Sequence, residues 1–142
     1  MSEENFYPGA LMKRISEVLD KKANSGLAEH GVTFSQMKLL IMLAESGADS
    51  VALKELERYF DLTQATIAGL VVRLEKKNLI CGFTDPSDKR IKRVRITPEG
   101  RLLCETAKSE MIEYENWLLE ALSEEEKEEF TRLLKKIYTN IQ

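Results

Sequence analysis

Histidine is almost missing from this 142-residue chain, where His30 is the single copy. A Ser-His-Asp or Cys-His nucleophilic arrangement therefore has almost no raw material. Cysteine is scarce as well: Cys81 and Cys104 are the two copies, too few for a disulfide framework. Set far from each other and from His30 in sequence, they also make a poor zinc site, which takes about four clustered donors. These shortages argue against catalysis and metal sensing, and no cofactor or metal is expected. No apolar run approaches the ~20 residues that span a bilayer, so no membrane partner is expected. The N-terminus, MSEENFYPGALMKRISEVLD, carries acids where a secretory signal has bases, and no long apolar core follows. That predicts a cytoplasmic chain with reduced thiols. Repeats and low-complexity segments are absent too.

What remains is a globular composition, 43% hydrophobic and 32% charged, in a chain long enough to bury a real core as one domain or two small lobes. Its charge is unevenly spread. Residues 63–101 hold nine Lys/Arg against four acids, net +5, and the rest hold twelve against twenty, in a chain of net charge −3. A compact basic element on an acidic body is the footprint of a surface that meets phosphate, although a solvated charged hairpin would look the same by charge alone.

Three turn clusters divide the chain: Glu29-His30-Gly31, Ser46 to Ser50, and Thr84-Asp85-Pro86-Ser87-Asp88. Leu11, Ile15, Val18 and Leu19 give the first helix its apolar spacing. Thr33 with Gln36 predicts a capping box for a second helix, with Met37, Leu40, Ile41 and Ala44 on one stripe. Leu53, Leu56, Tyr59 and Phe60 suggest a short third helix. Thr63 caps a fourth, whose Ile67, Leu70, Val71 and Leu74 form one buried face. Asn78 can stop it in a left-handed conformation. Residues 79–84 and 91–96 read as two hairpin strands. Thr97 before Pro98 caps a long fifth helix, and Ser123 with Glu126 makes a capping box for a sixth.

The order predicts a mainly α fold with a small β-hairpin wing: six helices in a winged helix-turn-helix. The third and fourth helices meet at Asp61-Leu62, and the hairpin after them is the wing. Residues 1–32 are assigned to an N-terminal dimerisation helix. Residues 33–98 form the winged helix-turn-helix, with a recognition helix at about 63–77 and a wing at about 79–97. Residues 99–142 form C-terminal dimerisation helices. The apolar stripes through Leu102, Leu103, Ala107, Met111, Tyr114, Trp117, Leu118 and Leu122, then Phe130, Leu133, Leu134, Ile137, Tyr138 and Ile141, exceed what one thin lobe buries. Packing against the first helix would absorb part of this surface, but an intertwined homodimer is the favoured reading.

From Gly31 to about Ala107 the sequence resembles the MarR family (multiple antibiotic resistance regulators) of winged-helix repressors. The resemblance is carried by VTFSQMKLLIML, LKELERYFDLTQATIAGLVVRLEKKNLI, the wing DPSDKR and RVRITPEG. Its most specific piece is Asp88-Lys89-Arg90, followed after a short strand by Thr97-Pro98-Glu99-Gly100. The termini match in helical pattern and length alone. The resemblance implies a homodimer that binds a pseudo-palindromic operator in double-stranded DNA. It also implies a wing-tip arginine, here Arg90, entering the minor groove, with Asp88 holding its guanidinium. A small aromatic or anionic effector would sit between the dimer helices and the winged domain and release the repressor. Met12, Ile15, Met42, Leu43, Tyr59 and Met111 could line that crevice, though residues at such spacing are more often core.

Physical roles can be set beside this. Thr63, Gln64 and Thr66 occupy the first turn of the recognition helix, where side chains meet base edges. Gln64 can pair bidentately with adenine and Thr66 can donate or accept, unless both are ordinary polar residues of a helix start. Ala65, Ala68 and Gly69 allow close approach. Arg73, Lys76 and Lys77 lie further along, placed for phosphates, with Lys89 and Lys92 on the wing. Gly69 stands where the family commonly has a polar or basic residue, and Val72 where an acid is common. Direct base readout is thereby reduced, and DNA shape gains weight. Two other readings stay open. A thiol-oxidation switch could use Cys81 or Cys104, but the peroxide-sensing branch of the family keeps its cysteine in the first helix, where this chain has none. A protein-interaction module could use acids such as Glu124-Glu125-Glu126, which more simply stabilise a helix N-terminus.

Overall fold

Thr33 Oγ1 accepts from the Gln36 N–H at 3.2 Å, and Gln36 Oε1 accepts from the Thr33 N–H at 3.2 Å. This is the expected capping box, seen in a computed structural model that describes residues 7–142. The elements run α1 (Pro8–Glu29), α2 (Phe34–Glu45), β1 (Val51–Ala52), α3 (Leu53–Phe60), α4 (Gln64–Lys76), β2 (Ile80–Thr84), β3 (Lys92–Ile96), α5 (Pro98–Leu118) and α6 (Glu124–Ile141). The chain divides into two compact units, one ending at Cys104 and one running from Glu105 to Gln142, so the divide falls inside α5.

The core of the first unit gathers Leu39, Leu40 and Leu43 of α2, Leu56 of α3, and Ile67, Leu70, Val71 and Leu74 of α4. Val51, Ile80, Val94 and Ile96 close it from the sheet. The buried face of α4 is the one its sequence spacing predicts. That of α2 is rotated: Gln36, Met37, Leu39, Leu40 and Leu43 are buried, while Ile41 faces outward. The sequence FSQMKLLIMLAE is apolar on nearly every side, so its spacing selects no single stripe. In α3, Leu56 is fully buried, whereas Tyr59 is 66% exposed and meets the Phe60 ring edge-on at 4.9 Å.

Left-handed residues follow both helices of the α3–α4 unit. Asp61, at φ +51°, ends α3, with its N–H bonded to Arg58 O at 3.3 Å and that of Leu62 to Glu57 O at 3.1 Å. Asn78, at φ +59°, turns the chain out of α4 into the wing. Asparagine and aspartate tolerate this conformation better than most residues. The sheet has a strand that the two-strand reading lacks. β1 pairs antiparallel with β3, Val51 opposite Val94 and Ala52 opposite Arg93, so the order is β1-β3-β2. β2 and β3 pair from Ile80 opposite Ile96 to Thr84 opposite Lys92.

The base of the wing is fastened to the start of α5. Thr97 N–H donates to Leu79 O at 3.1 Å, and Thr97 Oγ1 donates to Asn78 O at 2.8 Å. The same oxygen accepts from the Gly100 N–H at 3.0 Å, so Thr97 caps α5 as expected. Gly100 lies so near Leu79 that a Cβ there would collide with the Leu79 carbonyl and come within 2.7 Å of Ile96 Cγ1.

In the second unit, the Ser123–Glu126 capping box forms at the start of α6, and the Tyr114 and Trp117 rings of α5 lie 5.7 Å apart. Much of the apolar surface that the sequence assigns to assembly is uncovered in the single chain. Neither α1 nor α6 buries a residue, and α5 buries Gly100 alone. Leu102, Met111, Trp117, Phe130, Leu133, Ile137, Tyr138 and Ile141 are exposed, as are Leu11, Met12, Ile15 and Val18 of α1.

Candidate nucleic-acid interface

Turning Ile67, Leu70, Val71 and Leu74 inward leaves Gln64, Ala65, Thr66, Val72, Arg73 and Lys76 exposed, with Ala68 and Gly69 half-buried beside them. Thr63 is the N-cap, its Oγ1 accepting from the Thr66 N–H at 3.2 Å. The Thr63 and Thr66 hydroxyls are also 2.8 Å apart, so each is partly engaged in the cap. The exposed face is small and flat at Ala65, Ala68 and Gly69. Its long polar side chains are Gln64 at one end and Arg73 and Lys76 toward the other. A Cβ built at Gly69 would meet Arg73 Nη1 at 3.4 Å, which places the guanidinium over the glycine.

Lys77 departs from its expected role. Its ammonium donates to Gly31 O and, at 2.7 Å, to Gln36 Oε1, binding the end of α4 to the α1–α2 junction instead of facing a phosphate. Gln36 is 3% exposed, a polar side chain buried in the first unit's interior. Its amide oxygen thus serves the capping box and Lys77 together.

The wing tip is held by two aspartates. Asp85 Oδ1 accepts from Ser87 N at 2.8 Å, Ser87 Oγ at 2.6 Å and Asp88 N at 3.3 Å, while Asp85 Oδ2 lies 3.6 Å from Arg93 Nη1. Hydrogen bonds from the Ser87 side chain and then its N–H hold the Asp85 carboxyl below its ordinary pKa. Arg93 also donates to Ser50 Oγ at 2.8 Å and to Ser50 O at 3.1 Å, tying the hairpin to the segment before β1. Arg95 stacks on Phe83, its guanidinium carbon 4.4 Å from the ring centroid, with Asp49 3.8 Å away. These partners of Arg93 and Arg95 are not readable from sequence, because they depend on where β1 docks.

Asp88 grips Arg90 by three bonds: Arg90 Nε to Oδ1, Arg90 Nη2 to Oδ2 and the Arg90 N–H to Oδ1, each 3.0 Å. The guanidinium, followed by the backbone N–H, lowers the Asp88 pKa, and the same pairing raises that of Arg90. The Arg90 side chain is nevertheless 90% exposed, so the fork is oriented without being covered. Lys89 and Lys92 stand exposed on either side.

The remaining candidates scatter. Cys81 is exposed on β2, and Cys104 is half-buried against the first unit's core. Of the crevice candidates, Leu43 belongs to that core and Met42 packs against it, whereas Met12, Ile15, Tyr59 and Met111 are exposed. No group of three or more His, Cys, Asp or Glu among the described residues is arranged to hold a metal ion. No helix among them is long and apolar enough to cross a membrane.

Comparison with known proteins agrees with this geometry. The model of the MarR family matches residues 32–92. The HTH-type transcriptional regulator YxaD of Bacillus subtilis (strain 168) is 36% identical over 103 residues, covering 72% of this chain and 71% of the relative. The crystal structure of MepR, a transcription regulator of the Staphylococcus aureus multidrug efflux pump MepA, superposes with a TM-score of 0.86 at 29% identity, covering 96% of this chain and all of that one. MepR in a DNA complex gives a TM-score of 0.67 at 29% identity, covering 95% of this chain and 98% of the other. Helix-turn-helix, clasped wing-tip arginine and matched sequence coincide: the chain belongs to the MarR family of transcriptional regulators.

Proposed function

We propose that the protein is a cytoplasmic homodimer that represses transcription by binding a pseudo-palindromic operator, and that a small aromatic or anionic effector releases it. In this reading residues 33–98 read DNA, and the segments 1–32 and 99–142, which carry α1, α5 and α6, join the two subunits. The observation that carries it is the pair of exposed elements on one compact unit: the capped α4, and a wing tip whose exposed Arg90 fork is held by Asp88. A helix with small residues along its face can lie deep in a major groove, Gln64 and Thr66 meeting base edges at its N-terminus. A guanidinium suits a narrow A·T-rich minor groove, whose negative potential is enhanced. Lys76, Lys89 and Lys92 fall to either side, where phosphates run.

The apolar surface left uncovered on α1, α5 and α6 supports a partner of the same chain, since such faces on a stable protein are covered in use. The effector reading rests on the family, with Met12, Ile15, Met42, Leu43, Tyr59 and Met111 as its candidate lining.

The test is a salt-titrated binding assay on operators with varied flanks. Arg90→Ala should weaken binding on the order of ten- to a hundredfold per half-site and flatten the preference for A·T-rich flanks. Asp88→Ala should act in the same direction but less, because it frees the fork without removing it. Lys76→Ala should weaken all sequences alike and lower the salt slope by about one. If Arg90→Ala binds every flank like the parent, the hairpin is a solvated surface and the wing assignment is wrong.

A further inference from the structure

Gly69 is costly where it stands. Inside a helix, glycine is about 1 kcal/mol worse than alanine, and its φ here is ordinary, so no left-handed turn requires it. What the position provides is a lane free of any side chain longer than a methyl, since a Cβ there would meet Arg73 Nη1 at an ordinary contact distance of 3.4 Å. Arg73 lies four residues on, at the edge of the exposed face, and helical side chains lean toward the N-terminus. Its guanidinium therefore folds back along the helix until Nη1 would touch a Cβ at position 69. The charge is thus carried from the flank to the middle of the face, one turn nearer the end that enters a groove first.

Nothing else competes for that place. Ala65 and Ala68 are too short to reach a base with a polar atom, and Val72 has no donor or acceptor. Arg73 has no hydrogen bond or ion pair among the described residues, unlike Arg90, Arg93 and Arg95. A planar fork with unused donors, over the flattest part of the helix, has the geometry to reach a base edge. The base that presents two acceptors to such a fork in the major groove is guanine, through O6 and N7.

We infer that Arg73, seated over Gly69, reads a guanine in each operator half-site and supplies the sequence discrimination that the bare centre of α4 lacks. This rests on the operator-binding reading, and it replaces a phosphate role for Arg73 with a specificity role. Because the position lies further from the α4 N-terminus than Gln64 and Thr66, the guanine should sit beside the bases they contact and not coincide with them.

The experiment is selection from a randomised duplex library with the full-length protein. Quantitative binding then follows to the selected site and to versions with each base replaced, at several salt concentrations. The parent should demand a guanine at one position per half-site, losing on the order of ten- to a hundredfold on its replacement. Arg73→Lys keeps the charge but not the fork, so the salt slope should hold while that one preference collapses. Gly69→Gln fills the lane with a side chain of different donors and should alter the preference at the same position, with circular dichroism confirming that both variants are folded. A preference for guanine that survives Arg73→Lys overturns the inference. So does a uniform loss across all sequences in Arg73→Ala with a salt slope reduced by about one, the signature of a phosphate contact. A parent that binds no duplex at all sinks the operator reading and this inference together, a result distinct from binding without a guanine preference.

Discussion

Two glycines of this chain should respond to the same substitution with opposite signs. At Gly100, alanine places its methyl on the Leu79 carbonyl and within 2.7 Å of Ile96 Cγ1. That carbonyl cannot simply retreat, because it accepts the Thr97 N–H at 3.1 Å while the Leu79 N–H is bonded to Leu74 O at 3.1 Å. Relief requires α5 to move away from the wing base, which strains or breaks the Thr97–Leu79 bond, a loss of about 1 kcal/mol. Overpacking against Ile96 adds roughly 1–3 kcal/mol. Better helix propensity returns at most about 1 kcal/mol. The net expectation is destabilisation of about 2 kcal/mol, which lowers a urea midpoint by about 1 M at a slope near 2 kcal/mol/M. At Gly69 the methyl meets Arg73 Nη1 at 3.4 Å, the end of a flexible exposed side chain. There alanine should raise stability by about 0.5–1 kcal/mol. The assay is urea unfolding followed by circular dichroism at one fixed protein concentration, since assembly shifts the midpoint. A Gly100→Ala protein as stable as the parent would refute the packing argument. Equal signs at the two positions would refute the contrast.

Sedimentation at micromolar concentration should give twice the mass of one chain, and a monomer would remove the dimer. Replacing both thiols, Cys81→Ser with Cys104→Ser, should leave operator binding intact and insensitive to peroxide; a parent that peroxide releases, beside a double variant that it does not, would establish a redox switch. The Asp88 pKa is depressed by Arg90, so the pairing is complete above the ordinary carboxylate value and is lost as pH falls through the lowered one. The Arg90 side-chain N–H resonances should therefore titrate with a midpoint below the ordinary carboxylate value, and a midpoint at or above that value would show that Asp88 does not hold the fork.

Elements whose cause is local were legible. The Thr33, Thr63, Thr97 and Ser123 caps, the inward face of α4 and the left-handed Asn78 all depend on residues within about two turns of one another. β1 was not, because two residues have no period to detect and Val51 becomes a strand through its partner Val94, forty-three positions later. Lys77 misled for the same reason. Arg73 and Lys76 before it are basic and exposed, but its acceptors belong to Gly31 and Gln36, brought close by the packing of α2 against α4. Within the interface, the Asp88–Arg90 clasp follows from two residues two apart, whereas the hold of Arg93 on Ser50 required the sheet. The placement of Arg73 over Gly69 lies between these cases: the spacing of four was visible, but the direction of the side chain was not.

The Asp85 network bears on how quickly the wing can engage a groove. One carboxylate oxygen gathers three donors from the loop, its twin faces Arg93, and Arg93 in turn is fixed to Ser50. The loop has accordingly surrendered its conformational entropy during folding and has little left to lose on contact. Its approach to a duplex resembles a rigid key more than a tether that tightens. Association should then need no slow ordering step, and the heat-capacity change on binding should reflect surface removed from water with little contribution from segment folding.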